Sequence, residues 1–433
     1  MQEILYIFLQ IFFFLIFFLF PLNKNLLEKY FNNKNISIYD VYIFNFLIYS
    51  FIFLLISFTK MKIDILFYVI IIIKTLFVIY NHKKYLRYFN NNNDKKYFLF
   101  FIFCLLAISL QIASDPKLGW DGIAHWYYKA SNYFQNGTYQ DLKNLPLAYY
   151  PHLGTYIWNI FWSINPTRLE YFGRIFYVFI FVITIFSASE KLSKKITFNT
   201  KLFTTFILLV LAFDRFLISG YQEYFLFYLF YSFALIFNFK NEKKPKFILI
   251  VPFLFLSSYL MFWVKQEGLF YIVILTIIFS FFYPKSNILK LSYITLMVVI
   301  VFASIKLKSY YHGNFSLNEP ILNSELLKYL NYKTFFSTFY LISLEIIKAI
   351  IKYPVWIIII LFLTLRLIEN KKLISKENIF FIIYMGLVYC IYFQTTMDIK
   401  ELMPLTLDRV IFHGSGFFLI FIVKYLNNKL LEK

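Results

Sequence analysis

The chain has 433 residues, of which 60% are hydrophobic, 24% aromatic and only 15% charged. So much apolar surface exceeds what a water-soluble core needs, and it excludes a soluble domain. The net charge of +20 sits in short lysine clusters between apolar runs. That is the pattern of cytoplasmic loops, with membrane lipids as partners and no nucleic acid.

Apolar runs of about 17 to 20 residues recur, each long enough to cross a hydrocarbon core of roughly 30 Å. They lack the alternation of a barrel, so the expected fold is all-α: one polytopic membrane domain over residues 1–433. Spans are expected near 4–22, 41–59, 63–81, 97–113, 173–188, 201–218, 221–239, 247–264, 268–283, 288–305, 354–368, 378–394 and 410–427, about 13 in all. The first run has no basic leader region and no small-residue cleavage site, so it reads as a retained span. Segments 23–40 and 84–95 read as Asn/Lys-rich connectors. Cys104 and Cys390 lie in apolar runs and indicate no disulfide framework.

The longest polar interval in the first half is 114–152. It gathers Asp115, Asp121, His125, Asp141 and His152 among Trp120, Trp126, Tyr127, Tyr128, Tyr149 and Tyr150. Charged groups held at the edge of a lipid phase are costly unless solvated or used, which makes them functional candidates. Basic clusters at Lys83, Lys84 and Arg87; Lys191, Lys194 and Lys195; Lys240, Lys243, Lys244 and Lys246; and Lys371, Lys372 and Lys376 mark the cytoplasmic side. The interval 114–152 balances its charges and therefore faces outward, and the N-terminus is expected on that face too. Parity then makes 150–164 a helix lying against the outer interface. It does the same for 335–352, where Glu345, Lys348 and Lys352 share one helical face. The outer loops 114–172 and 306–353 thus contain interfacial helices, and the shorter polar segments 219–223, 265–268 and 395–409 join them on that face.

Each charged candidate has a structural and a chemical reading. Asp121 either caps a helix starting at Gly122 or serves as a general base. Glu223, opening an apolar helix, either complements the helix dipole or is a second carboxylate facing Asp121, binding a divalent cation or shaping a sugar site. Lys265 and Glu267 either neutralise each other or leave Lys265 to bind an anionic headgroup. Arg409 is either an interface anchor paired with Asp408 or a phosphate clamp, since guanidinium presents a bidentate fork. His125 and His152 lack zinc-motif spacing and read as hydrogen-bonding interface residues.

The order of these motifs resembles the GT-C superfamily of membrane glycosyltransferases, in its protein-mannosyltransferase and lipid A aminoarabinose-transferase branch. The residues are Trp120-Asp121-Gly122-Ile123-Ala124-His125-Trp126, Tyr150-Pro151, Gly220-Tyr221-Gln222-Glu223, Lys265-Gln266-Glu267-Gly268 and Asp408-Arg409. The resemblance implies transfer of a sugar from a polyprenyl-phosphate carrier on the outer face of the cytoplasmic membrane. It implies Asp121 as the catalytic acid/base, Glu223 as the second acid, and Lys265 and Arg409 as phosphate ligands. Trp120, His125, Tyr150, His152 and Glu267 complete the expected substrate site. The chain departs from the pattern in having three apolar runs before the one leading into the first loop. It also lacks a soluble C-terminal domain, which argues against protein N-glycosylation. A transporter or flippase is the competing class, and a polymerase or ligase of O-antigen assembly is another.

Overall fold

A backbone crossing hydrocarbon must satisfy its own hydrogen bonds, and the computed structural model does so with helices alone, with no strand among the described residues. It describes residues 2–31, 36–59, 63–80, 92–136, 142, 145, 150–193, 195–239, 247–282, 287–312, 332–370, 375–393 and 399–431. Asp141, Tyr149 and the basic residues Lys83, Lys84, Arg87, Lys194, Lys240, Lys243, Lys244, Lys246, Lys371 and Lys372 lie outside these.

The helices are α1 (Gln2–Phe17), α2 (Lys24–Phe31), α3 (Ile38–Ser57), α4 (Ile63–Tyr80), α5 (Asn92–Ser114), α6 (Tyr128–Asn136), α7 (Leu153–Ser163), α8 (Tyr171–Ser189) and α9 (Phe198–Ala212). They continue with α10 (Glu223–Asn238), α11 (Phe247–Val264), α12 (Gly268–Phe282), α13 (Asn287–His312), α14 (Tyr332–Lys352), α15 (Pro354–Asn370), α16 (Lys376–Phe393) and α17 (Ile399–Leu431). A π-helical stretch, Gly122–Tyr127, precedes α6. Among the described residues, seven helices are long and apolar enough to cross a membrane, and six shorter apolar helices accompany them. This is a multi-pass membrane architecture.

Lipid supplies no hydrophobic drive between helices, so packing must hold them together. Every residue of α8 and of α10 is buried. Gly416 of α17 lies against the Phe227 backbone of α10 with no room for a Cβ, so the two helices approach closely. Ring contacts fill the rest, such as Phe380 stacked on Phe417 at 3.9 Å and Phe227 on Phe412 at 5.1 Å.

The bundle has two polar ends. At one, the ends of α3, α5 and α11 meet the starts of α8, α10 and α12. Ser57 reaches His152 at 2.7 Å, and Lys265 reaches Glu223 at 2.8 Å. At the other, Lys191 pairs with buried Asp40 at 2.6 Å and Arg366 with Glu377 at 3.0 Å. Of the segments expected on the outer face, residues 114–121 of the loop 114–172 share one end with 219–223 and 265–268. Lys191 and Lys376 lie at the opposite one. The N-terminus begins at the first end, where Glu3 meets Tyr171.

Several expectations change. Segment 23–40 is not a plain connector: Leu27 and Phe31, four residues apart, bury the face of α2. Helix α7 forms as expected, yet Leu153 to Trp162 are all buried, so it is packed within the bundle instead of presenting one side to water. Segment 395–409 is helical from Ile399 onward. Helix α14 is itself long and apolar enough to be a candidate span. Its Thr338, Ile342, Ile346 and Ala349 face inward, while Phe336, Ile347 and Ile351 are exposed.

Candidate functional site

After α5 the chain crosses Asp115–Gly119 without regular structure and turns helical at Trp120. Gly119 N donates to Ser219 O at 3.0 Å, and a Cβ on Gly122 would collide with the same carbonyl. The first loop is thereby held against the segment that leads into α10. In that segment Gly220 has φ +80, a left-handed conformation that glycine adopts without steric cost.

Asp121 is not an N-cap. Its backbone is already helical (φ −63, ψ −34), and its side chain makes no capping hydrogen bond. Its carboxylate instead accepts from Arg409 Nη1. Arg409 Nη1 also lies 3.7 Å from Glu223 Oε1, and Nε donates to Leu405 O at 3.2 Å. Glu223, with a fully buried side chain, accepts from Lys265 Nζ at 2.8 Å. The alternating row is Asp121, Arg409, Glu223, Lys265. All four side chains are no more than 15% exposed. Glu223 Oε2 has no hydrogen-bond partner among the described residues.

His125 extends the row, with Nε2 3.8 Å from Asp121 Oδ1. Its ring stacks on Tyr150 at 5.1 Å and 8° and meets Trp120 edge-on at 5.4 Å. Burial pushes its pKa down; Asp121 opposes this, while Lys129, Arg409 and Lys265 add to it. For Lys265, burial favours the neutral form, but Glu223 and Glu267 outweigh it and leave the pKa raised.

The structure therefore brings Trp120, Asp121, His125, Tyr150, Glu223, Lys265 and Arg409 together. Glu267 is half-buried beside Lys265 but is not its ion-pair partner, because Glu223 is. His152 is placed differently: it is wholly buried, bonded to Ser57 and enclosed by the rings of Phe58 and Trp263 at 5.4 and 5.6 Å. Asp408 does not pair with the Arg409 side chain; it takes Lys352 instead and accepts from the Arg409 backbone N–H at 2.8 Å.

Asp121 and Glu223 converge on a guanidinium, so the charge a divalent cation would neutralise is already met by protein. Among the described residues no group of three or more His, Cys, Asp or Glu side chains could hold a metal.

Two participants were not anticipated. Lys129 is buried and donates to Tyr150 O at 2.6 Å, and burial pushes its pKa down. Its signal was its position one helical turn beyond His125. Arg174 falls inside the span expected at 173–188, although an arginine within YFGRIFYVF is costly in an apolar helix unless it is used.

No family model matches the chain, and no curated protein or solved structure matches it either.

Proposed function

We propose that the chain is a membrane glycosyltransferase that moves a sugar from a polyprenyl-phosphate donor to an acceptor on the outer face of the cytoplasmic membrane. The observation that supports this is the row Asp121–Arg409–Glu223–Lys265, assembled from four separated segments at one end of the bundle. It offers what the reaction needs: a carboxylate for the acceptor hydroxyl and fixed positive charge for the departing phosphate.

In the resting arrangement Arg409 is held by Asp121. A donor phosphate, like a carboxylate, can bind guanidinium in a bidentate way, and it takes the place of Asp121 on Arg409, with Lys265 alongside. Asp121 is thereby released as base. The acceptor oxygen then bonds to the anomeric carbon, its proton passes to Asp121, and the bond from that carbon to the phosphate oxygen breaks with its electrons going to phosphate. His125, Tyr150 and Trp120 form the aromatic wall for the sugar. Glu223 holds Lys265 and Arg409 in register.

In this reading about 13 segments cross the membrane and α14 lies across the outer end. In support, α14 touches that end at both of its termini, through Phe335 on Phe393 at 5.2 Å and Lys352 on Asp408. A transporter or flippase would bury its ionisable groups at mid-membrane; here Glu223 opens a helix and Lys265 follows one. The test is release of polyprenyl phosphate from a labelled polyprenyl-phosphate sugar by the purified protein in proteoliposomes with envelope acceptors. Release that is absent, or equal in Asp121→Asn, sinks the proposal.

A further inference from the structure

We infer that Arg174 is a positioning residue that sets the geometry of the charged row without belonging to it. It occupies the first turn of α8 and its side chain is 0% exposed. Nη1 donates to Ile218 O and, at 3.4 Å, to Lys117 O. Nη2 donates to Pro116 O at 2.5 Å and to Glu170 Oε2 at 3.1 Å. Nε lies 2.9 Å from Glu170 Oε1.

The carbonyls it gathers come from two chain segments, 116–117 and 218. The first ends four residues before Asp121 and the second five residues before Glu223. A single planar fork therefore ties together the two approaches to the carboxylates that share Arg409. Backbone carbonyls outside regular helix need donors from elsewhere. Pro116 and Lys117 lie in irregular chain and Ile218 follows a single 3-10 turn, and Arg174 supplies those donors. Glu170 balances the charge and fixes the guanidinium plane, so the cation is spent on positioning and is not available to an anion. Lysine cannot replace it, because an ammonium on a flexible stem does not reproduce the fork.

This rests on the proposed reading only for its effect on turnover; the positioning itself is tested without any substrate. Nitroxide labels at Lys117→Cys and Arg215→Cys, both exposed positions, report the separation of the two segments in a Cys390→Ser background. A control pair at Asn199→Cys and Ile368→Cys reports the opposite end. Arg174→Lys is expected to broaden the first distance distribution at least twofold and leave the control unchanged. Glu170→Gln, the milder variant should Arg174→Lys fail to fold, is expected to broaden it by a smaller amount. In the transfer assay Arg174→Lys is expected to lower kcat by tenfold or more, with KM for donor within threefold. An unchanged first distribution in folded Arg174→Lys, or equal broadening of both pairs, overturns the inference. A selective broadening in a protein that transfers no sugar leaves the positioning intact and overturns the proposed function instead.

Discussion

Arg409 reaches Asp121 across 288 positions of chain, and the same Nη1 lies 3.7 Å from Glu223. One guanidinium is shared by two carboxylates that arrive from separate segments of the chain. The resting site is thus closed on itself, with each charge answered by the next.

Asp121→Asn keeps the size of the side chain and removes no cap, since none is made. The variant is expected to fold and to transfer sugar about 10²- to 10⁴-fold more slowly. Donor phosphate should bind it more tightly than the parent, because Asn competes less well for Arg409. Donor-binding titration together with single-turnover rates checks both, and weaker donor binding in the variant would contradict the exchange of Asp121 for phosphate.

Lys265→Met leaves Glu223 buried with only the more distant Arg409. Breaking a buried pair costs roughly 3–5 kcal/mol, so this variant should be strongly destabilised in unfolding titrations. Adding Glu223→Gln removes the stranded charge and leaves the Asp121–Arg409 pair whole. The double variant is expected to recover about 2 kcal/mol relative to the sum of the singles; additive losses would mean that the two side chains do not interact.

The imidazole of His125 is pushed below its ordinary value of about 6.5, chiefly by burial. Below that value the unfolded chain takes up a proton that the folded site resists. The stability contributed by neutral His125 is present above about pH 6.5 and is lost as pH falls through the lower folded value. Thermal melts between pH 7.5 and 5 should therefore fall more steeply in the parent than in His125→Gln. Parallel slopes would place the titrating groups elsewhere.

Lys117 and Lys195 are both exposed and lie at opposite ends of the bundle. In a Cys390→Ser background, Lys117→Cys should react with an impermeant maleimide on intact cells and Lys195→Cys only after permeabilisation. The reverse pattern would turn the charged row to face the cytoplasm.

The candidate site was largely legible in the sequence, because a charged residue between apolar runs is conspicuous. Asp121, Glu223, Lys265 and Arg409 all stood out on that ground. Their pairing did not. Sequence favours neighbours, so Lys265 was matched with Glu267 and Arg409 with Asp408, whereas the fold joins residues 42 and 288 positions apart. His152 closes the polar interval 114–152 and therefore reads as an interface residue, while in space the rings of Phe58 and Trp263 enclose it. Helix α2 is hidden in the sequence for the opposite reason: its two lysines, one asparagine and one glutamate outweigh the two apolar residues that dock it. Arg174 does not stand out in sequence, because a hydropathy window averages one arginine away.

Of the six tryptophans, Trp126, Trp158, Trp162, Trp263 and Trp356 are buried and Trp120 is 72% exposed. The quenchable part of the protein's tryptophan fluorescence therefore belongs to one indole, held 5.4 Å from the His125 ring. Nature has left a native optical probe at the mouth of the charged row. Whatever enters beside His125 is expected to change its emission and its accessibility to iodide or acrylamide, without any added dye.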